Sequence, residues 1–234
     1  MELQNIIKIV LDNSFITALL GALIGGWFTR NATYRAHALE KSTAQLESLK
    51  VARNSIALIT VELKSAWNIY SNEYAKDLME LPEGEAYVAV WAIGQNPFII
   101  YDSMPQCLTE LSPELSELVI QMYMRMKGVV AMVEDNNKYA EAAKQAGVQK
   151  LDAVMANSNL AGAEMTVEQA NQYVEFLEAW VQWQAVKTGM GVHADVMKHF
   201  TAELGESMAK VLCGLSKELK SMDGKITSYE RKIK

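Results

Sequence analysis

The most apolar stretch of the chain, residues 13–29, restricts the fold more than any other feature of the sequence. These 17 consecutive residues carry no charge, and seven of them are large and apolar: Phe15, Ile16, Leu19, Leu20, Leu23, Ile24 and Phe28. As a helix the stretch rises about 26 Å, which is near the lower limit for crossing the hydrocarbon core of a bilayer. We therefore expect one transmembrane helix through which residues 13–29 contact the lipid bilayer, with residues 1–30 forming an N-terminal tail and anchor.

Three alternatives to an anchor stay open at this point. Ala36-His37-Ala38 has the small-x-small form of a signal-peptidase site, but the segment before the apolar stretch lacks the positive charge of a secretory signal. A run this short is also compatible with a buried core helix. An interfacial helix needs a strong polar face, which residues 15–28 lack.

The charges that flank the apolar stretch predict its orientation. Arg30, Arg35 and Lys41 follow the stretch, whereas Lys8 is the only Lys or Arg before it. Positive residues near a membrane span are enriched on the cytoplasmic side. We therefore expect a single-pass protein of the cell (inner) membrane, with its N-terminus outside and its C-terminal domain in the cytoplasm.

Small residues recur on one face of the predicted anchor. They are Ala18, Gly21, Ala22, Gly25 and Gly26. Small side chains at this spacing let the backbones of two membrane helices approach closely, although glycine is also tolerated in lipid without any partner. We expect a homo-oligomer that associates through this face and through the stalk that follows it.

The rest of the chain predicts helices. Residues 31–81 contain neither proline nor glycine, and their apolar residues recur at steps of three and four residues or multiples of these. The sequence predicts an all-α fold in which the transmembrane helix continues into one long helix and then an antiparallel helical bundle. Residues 31–50 form a polar helical stalk, and residues 51–234 form the cytoplasmic bundle. From residue 192, a coiled-coil-like apolar stripe predicts a last helix that packs along the first.

Proline and glycine mark the ends of the predicted elements. Pro82-Glu83-Gly84 ends the long helix, and two short helices are expected at residues 85–93 and 98–111. Residues 88–91 are compatible with a strand, but the sequence holds no second strand-like run to pair with it, and an isolated strand leaves backbone groups unsatisfied. We therefore favour a helix there.

Two capping signals open further helices. Ser112-Pro113-Glu114 predicts a helix that runs to about residue 145 and ends near Gly147, followed at 148–165 by a loop that leaves room for a helical turn. The capping box at 166–169 opens the next helix, which ends at 189–191. Its apolar face carries Tyr173, Phe176, Trp180 and Trp183. These four aromatic residues are a possible ligand pocket, with an ordinary core face as the alternative.

Residue types that perform catalysis are sparse. The chain has three histidines and two distant cysteines, Cys107 and Cys213, and it contains no metal, nucleotide or nucleophile motif. Asp195, His199 and Glu203 share a helix face at four-residue spacing, and we interpret them as an exposed row of charges. We predict no catalytic residues, no cofactor and no metal site. A net charge of −6 argues against nucleic-acid binding.

Together these features favour a membrane-anchored, non-enzymatic interaction or scaffold protein. It self-associates through anchor and stalk and presents its bundle to an unknown cytoplasmic protein. The alternative is a membrane effector, of the kind used in phage exclusion or toxicity, whose clustered anchors perturb the bilayer.

Overall fold

A computed structural model of the chain describes residues 13–94, 97–157 and 166–233. These residues are mostly helical and contain no β-strand, which confirms the predicted all-α class. The predicted tail at residues 1–12 and part of the predicted loop, residues 158–165, lie outside the described residues.

Four of the described helices exceed 20 residues, and one reaches 57. The first part of the described chain forms α1 (Asn13–Ile69), a π-helical turn (Tyr70–Tyr74) and α2 (Ala75–Glu80). The middle forms α3 (Ile99–Ser103) and a 3₁₀ helix (Pro105–Glu110). The last part forms α4 (Pro113–Asn157), α5 (Val167–Lys187) and α6 (Met190–Ile233).

Helix α1 contains the predicted anchor and the predicted stalk as one uninterrupted helix. The expected continuity of these two segments is therefore confirmed. Within the described part of the chain, however, none of the helices has the length and apolar character needed to pass through a bilayer. The predicted transmembrane span at residues 13–29 is not supported by this structure.

Helix α4 is ten residues longer than Gly147 led us to expect, because this glycine does not end the helix. A Cβ atom at Gly147 would lie 2.5 Å from Cγ2 of Val181, so its role is to let α5 approach α4 closely. The prediction of a loop is thus wrong for residues 148–157.

The linking segment, residues 85–94, is neither a helix nor a strand, so the short helix predicted there is wrong. The second short helix, predicted at 98–111, is confirmed as α3 and the 3₁₀ helix. Side chains of α4 and α5 form hydrogen bonds with some of the backbone groups of this segment, so these groups have partners without a helix.

The chain divides into two compact units, one of Met1–Arg53 with Ser221–Lys234 and one of Asn54–Lys220. In the first unit, the end of α6 lies antiparallel to α1. The Lys50 Nζ atom is 3.2 Å from a carboxylate oxygen of Glu230, and Arg53 Nε is 2.9 Å from a carboxylate oxygen of Asp223. The hydrogen bond that the Lys50 ammonium donates to Glu230 is the main cause of its raised pKa.

In the second unit, α4 runs parallel to α1. The Tyr123 hydroxyl of α4 lies 3.4 Å from the carbonyl oxygen of Ile59, and Val130 of α4 lines the same cavity as Ile69, the last residue of α1. Residue numbers therefore rise together along the two helices. The chain between α2 and α4 returns to the starting end of the bundle before α4 begins.

Helix α6 runs antiparallel to α1, which confirms that the last helix packs along the first. The hydroxyls of Tyr70 and Thr201 are 2.6 Å apart, and a Cβ atom at Gly205 would lie 3.3 Å from the Trp67 ring. The fully buried side chains of α1, α4 and α6 include Ile56, Ile59, Leu63, Val119, Met122, Leu204, Met208 and Leu215.

A tight turn at Gly84 leads the chain away from α2. Gly84 has φ +77°, a conformation that favours glycine, and its N–H donates to the carboxylate of Asp195 at 2.9 Å. Lys198 donates to the carbonyl of Leu81 and to that same carboxylate. These contacts lower the pKa of Asp195, chiefly through the Lys198 hydrogen bond. Gly191 is required opposite the turn, since a Cβ there would lie 2.0 Å from the Gly84 carbonyl oxygen.

The π-helical turn places two tyrosines in the core with different hydrogen-bonding states. Tyr70 and Tyr74 are both buried, and their rings stack with centroids 5.8 Å apart. The Tyr70 hydroxyl bonds to Thr201, whereas the buried Tyr74 hydroxyl has no partner among the described residues. Burial raises the pKa of both phenols.

We expect the two phenylalanine substitutions in this turn to have opposite effects. Tyr70→Phe should lower the free energy of unfolding by about 1 kcal/mol because a buried hydrogen bond is lost. Tyr74→Phe should leave it unchanged or raise it, since the substitution removes a buried hydroxyl that is not paired. Urea unfolding of the full chain in detergent measures both. Equal destabilisation by the two variants would contradict this assignment.

Candidate membrane-facing and docking surfaces

The apolar end of α1 is exposed along its whole described length. Every side chain from 16 to 30 is exposed, and the large apolar ones show between 38% and 62% of their surface. They are Ile16, Leu19, Leu20, Leu23, Ile24, Trp27 and Phe28. At about 100° per residue these seven positions occupy one half of the helix circumference. We call residues 16–28 the apolar segment.

The predicted small-residue face occupies the other half of the apolar segment. Ala18, Gly21, Ala22, Gly25 and Gly26 are all exposed. A Cβ atom added at any of the three glycines would meet none of the described atoms within 4 Å. The apolar segment therefore has a bulky side and a smooth side, and the described part of the chain covers neither.

Aromatic and basic side chains lie at the end of the apolar segment and just beyond it. The Trp27 and Phe28 rings meet edge to face with centroids 5.1 Å apart, and the Arg30 guanidinium lies 5.4 Å from the centre of the Tyr34 ring. Trp and Tyr rings with nearby Arg are typical of helix ends at a membrane surface.

The predicted aromatic pocket on α5 is only partly assembled. Phe176, Trp180 and Trp183, together with Ala179, line a shallow depression of about 240 Å³, and Tyr173 is not part of its lining. The rings contact one another in sequence, with centroids 6.3 Å apart for Phe176 and Trp180 and 4.9 Å apart for Trp180 and Trp183.

Lysine side chains cover two of these rings. The Nζ atom of Lys150 lies 5.0 Å from the Trp180 ring centre, and that of Lys187 lies 4.7 Å from the Trp183 ring centre. The core face of α5 is formed instead by Val181 and Ala185. The sequence pattern predicted an apolar face of aromatic residues and did not reveal that smaller residues face the bundle.

The linking segment is held by a ladder of amide side chains that sequence reasoning missed. Gln182 donates to the Ala86 carbonyl at 3.2 Å, and Asn136 donates to the Ala89 carbonyl at 3.3 Å. Asn137 makes two bonds to a single residue, since it accepts from the Trp91 N–H at 3.0 Å and donates to the Trp91 carbonyl at 2.7 Å. The signal in the sequence is the pair Asn136-Asn137 within an otherwise apolar helix stripe.

An open groove lies beside this segment. It measures about 860 Å³ and is bounded by the linking segment, α4 and α5. Its lining is mainly apolar, with Val88, Val148, Leu177 and Val181 among the contributors. Lys144 and Glu178 also line it, and among the described residues neither has an ion-pair partner within 4 Å.

A second polar cluster serves to fix α3. The two carboxylate oxygens of Glu62 accept hydrogen bonds from the backbone N–H groups of Ile100 and Tyr101 at 2.7 and 3.0 Å. The Tyr123 hydroxyl donates to the same carboxylate at 2.9 Å, and burial is the main cause of its raised pKa. The carboxylate thus caps a short helix.

The charged row of α6 does not converge on an ion site. His199 Nε2 lies 3.3 Å from Glu203, whereas Asp195 binds Lys198 and Gly84 instead. Within residues 13–94, 97–157 and 166–233, no three His, Cys, Asp or Glu side chains are placed to hold a metal ion. Cys107 is buried, and burial raises the pKa of its thiol.

Comparison with known proteins gives no family for this chain. No protein-family model, curated protein or solved structure matches it. The features that bear on function are therefore those of its own surfaces: the exposed apolar segment, the aromatic depression and the groove beside the linking segment.

We expect Asn137→Ala to destabilise the bundle by about 1 to 3 kcal/mol, because both backbone groups of Trp91 lose their partner. The control is Lys138→Ala, at the next position, where an exposed ion pair with Asp135 contributes little. Urea unfolding followed by tryptophan fluorescence measures both variants. Similar stabilities for Asn137→Ala and the control would show that the ladder does not hold the linking segment.

Proposed function

We propose that this chain is a membrane-anchored, non-enzymatic scaffold that self-associates through α1 and presents its helical bundle to a protein partner in the cytoplasm. The observation that carries the proposal is the apolar segment, whose large side chains are exposed in the described structure. Moving these seven side chains out of water is worth on the order of 10 kcal/mol. A contiguous apolar surface of this kind marks a membrane or protein contact.

Several features favour lipid as the main contact. The sequence carries no charge from residue 13 to residue 29, and Arg30, Arg35 and Lys41 follow. The apolar character of the sequence also begins before the described residues, at Ile6, and residues 6–28 as a helix would rise about 35 Å. That length spans a bilayer core of about 30 Å, provided that Lys8 reaches the membrane surface and Asp12 lies near an interface. Positive residues beside a membrane span are enriched on the cytoplasmic side, so we expect the bundle, which follows these residues, in the cytoplasm.

The division of the apolar segment into two halves supports self-association. Large side chains on one half suit contact with lipid tails, and the glycine and alanine half suits contact with the same half of a second copy. Because copies anchored in one membrane have the same orientation, their α1 helices would pair in parallel.

We expect charge in the apolar segment to release the protein from membranes. In Leu20→Arg with Ile24→Arg, each arginine at depth opposes insertion by about 2.5 to 3.5 kcal/mol. Both positions are exposed in the structure, so the bundle should keep its circular dichroism spectrum. Flotation of the full chain with phosphatidylcholine and phosphatidylglycerol vesicles measures binding.

The matched control places the same two charges farther along α1, as Ala44→Arg with Ser48→Arg at exposed positions. Wild type and control should float with the vesicles, and the variant in the apolar segment should not. The proposal is wrong if the wild-type chain fails to float or if both variants float equally.

Bulky residues on the small half should separate the copies without releasing them from the membrane. We expect Gly21→Leu with Gly25→Leu to convert an oligomer into a monomer, because the added side chains hold the backbones apart. Leu19→Ala with Leu23→Ala, on the opposite half, is the control and should remain oligomeric. Sedimentation in detergent measures the mass of each. A monomeric wild type, or an oligomer unchanged by leucine, would contradict self-association through this face.

A further inference from the structure

The linking segment is an irregular run of backbone beside an open groove. Residues 85–94 contain no helix, turn or bend, and helix α4 binds Ala89 and Trp91 through Asn136 and Asn137. In an extended chain the peptide groups of alternate residues point to the same edge. The binding of residues 89 and 91 by one helix follows this two-residue repeat.

The opposite edge of the segment is unpaired. By the same repeat, the N–H and C=O groups of Val88 and Val90 share the edge of Ala86, whose carbonyl points to Gln182 of α5. Among the described residues, no hydrogen bond is made by the peptide groups of Val88 or Val90. Val88 is half-buried and lines the groove, whereas Val90 is exposed and lies outside the groove lining, so this edge is open beside the groove.

The groove has the size and chemistry of a peptide site. Its volume of about 860 Å³ falls in the range of ligand sites, and its apolar lining suits alternate side chains of an extended chain. Lys144 and Glu178 add one positive and one negative charge to the lining, neither of which has an ion-pair partner among the described residues. An extended peptide with apolar residues at alternate positions and opposite charges between them complements each of these features.

We propose that an extended segment of a partner protein binds in this groove and pairs its backbone with Val88 and Val90, as an added β-strand. The apolar side chains of the segment pack on Val148, Leu177 and Val181. An acidic side chain of the segment pairs with Lys144. The proposal rests on the proposed function only in giving the scaffold a protein partner, and it requires neither a membrane nor a second copy.

The test uses the full chain in detergent and a library of capped hexapeptides, with valine at positions 2, 4 and 6 and all residues at positions 1, 3 and 5. Peptides that bind should slow hydrogen exchange in residues 86–92 about tenfold or more, because the amides of Val88 and Val90 become paired. The same peptides carrying N-methyl groups on their pairing edge should lose this effect, since their side chains are intact but their donors are gone. Enrichment of acidic residues at a variable position is also expected.

Two variants of the chain test the backbone and the charge separately. Val90→Pro removes a donor that the fold does not use, and it should abolish protection, whereas Val90→Thr keeps the donor and should retain protection. Lys144→Glu should weaken the selected acidic peptides about fivefold.

The proposal is overturned if no library member protects residues 86–92 at millimolar concentration, or if N-methylated peptides protect them equally. Because detergent replaces the membrane here, a failure of this test leaves the membrane assays above unaffected. If Val90→Pro lowers the thermal stability of the chain, the N-methyl comparison on the wild-type chain still decides the outcome.

Discussion

Helix α1 carries apolar side chains along two different stretches. The described chain buries those of only one stretch. Between residues 46 and 63, it carries apolar side chains that are buried in the described structure. Between residues 16 and 28, its large side chains stay exposed on one half of the helix. Apolar surface of this extent is removed from water in a stable protein, so the environment of the apolar segment determines where the protein resides and how it associates.

The second constraint is the return of the chain from α2 to α4. Because α4 runs parallel to α1, the connection must travel the length of the bundle, and it does so partly as an irregular segment. Irregular backbone at a packed surface needs hydrogen-bond partners, which Asn136, Asn137 and Gln182 provide on the sides that face α4 and α5. The same arrangement leaves the peptide groups of Val88 and Val90 unpaired, so the packing of the bundle creates the edge next to the groove.

Periodicity and capping predicted most of the helices, since these signals are local. The capping box at Thr166 is present with both of its hydrogen bonds, and the break at Pro82-Glu83-Gly84 is where predicted. The errors arose where distant residues decide the structure. Gly147 resembles a helix end but is a contact point with α5. For residues 88–91 the sequence shows no partner strand, because Ala89 and Trp91 bond to amide side chains instead.

The candidate surfaces were predicted less completely than the fold. The residues of the small face follow from spacing alone, and the structure leaves them open, but spacing cannot show what covers them. On α5, aromatic spacing predicted a common face for Tyr173 and Trp180, whereas the bundle selects Val181 and Ala185 for its core. The groove depends on three separated parts of the chain, and no sequence pattern indicates such a site.

A nitroxide scan of α1 in phospholipid vesicles tests whether the apolar segment contacts lipid, with Cys107 and Cys213 replaced and one label at a time from residue 16 to residue 45. Collisions with oxygen report lipid, and collisions with a water-soluble nickel complex report water. The account predicts that labels at Leu19, Leu20 and Ile24 collide with oxygen and not with nickel, and that labels beyond residue 36 collide with nickel. Nickel access throughout residues 16–28, or protection from both reagents on the bulky half, would contradict a lipid contact there.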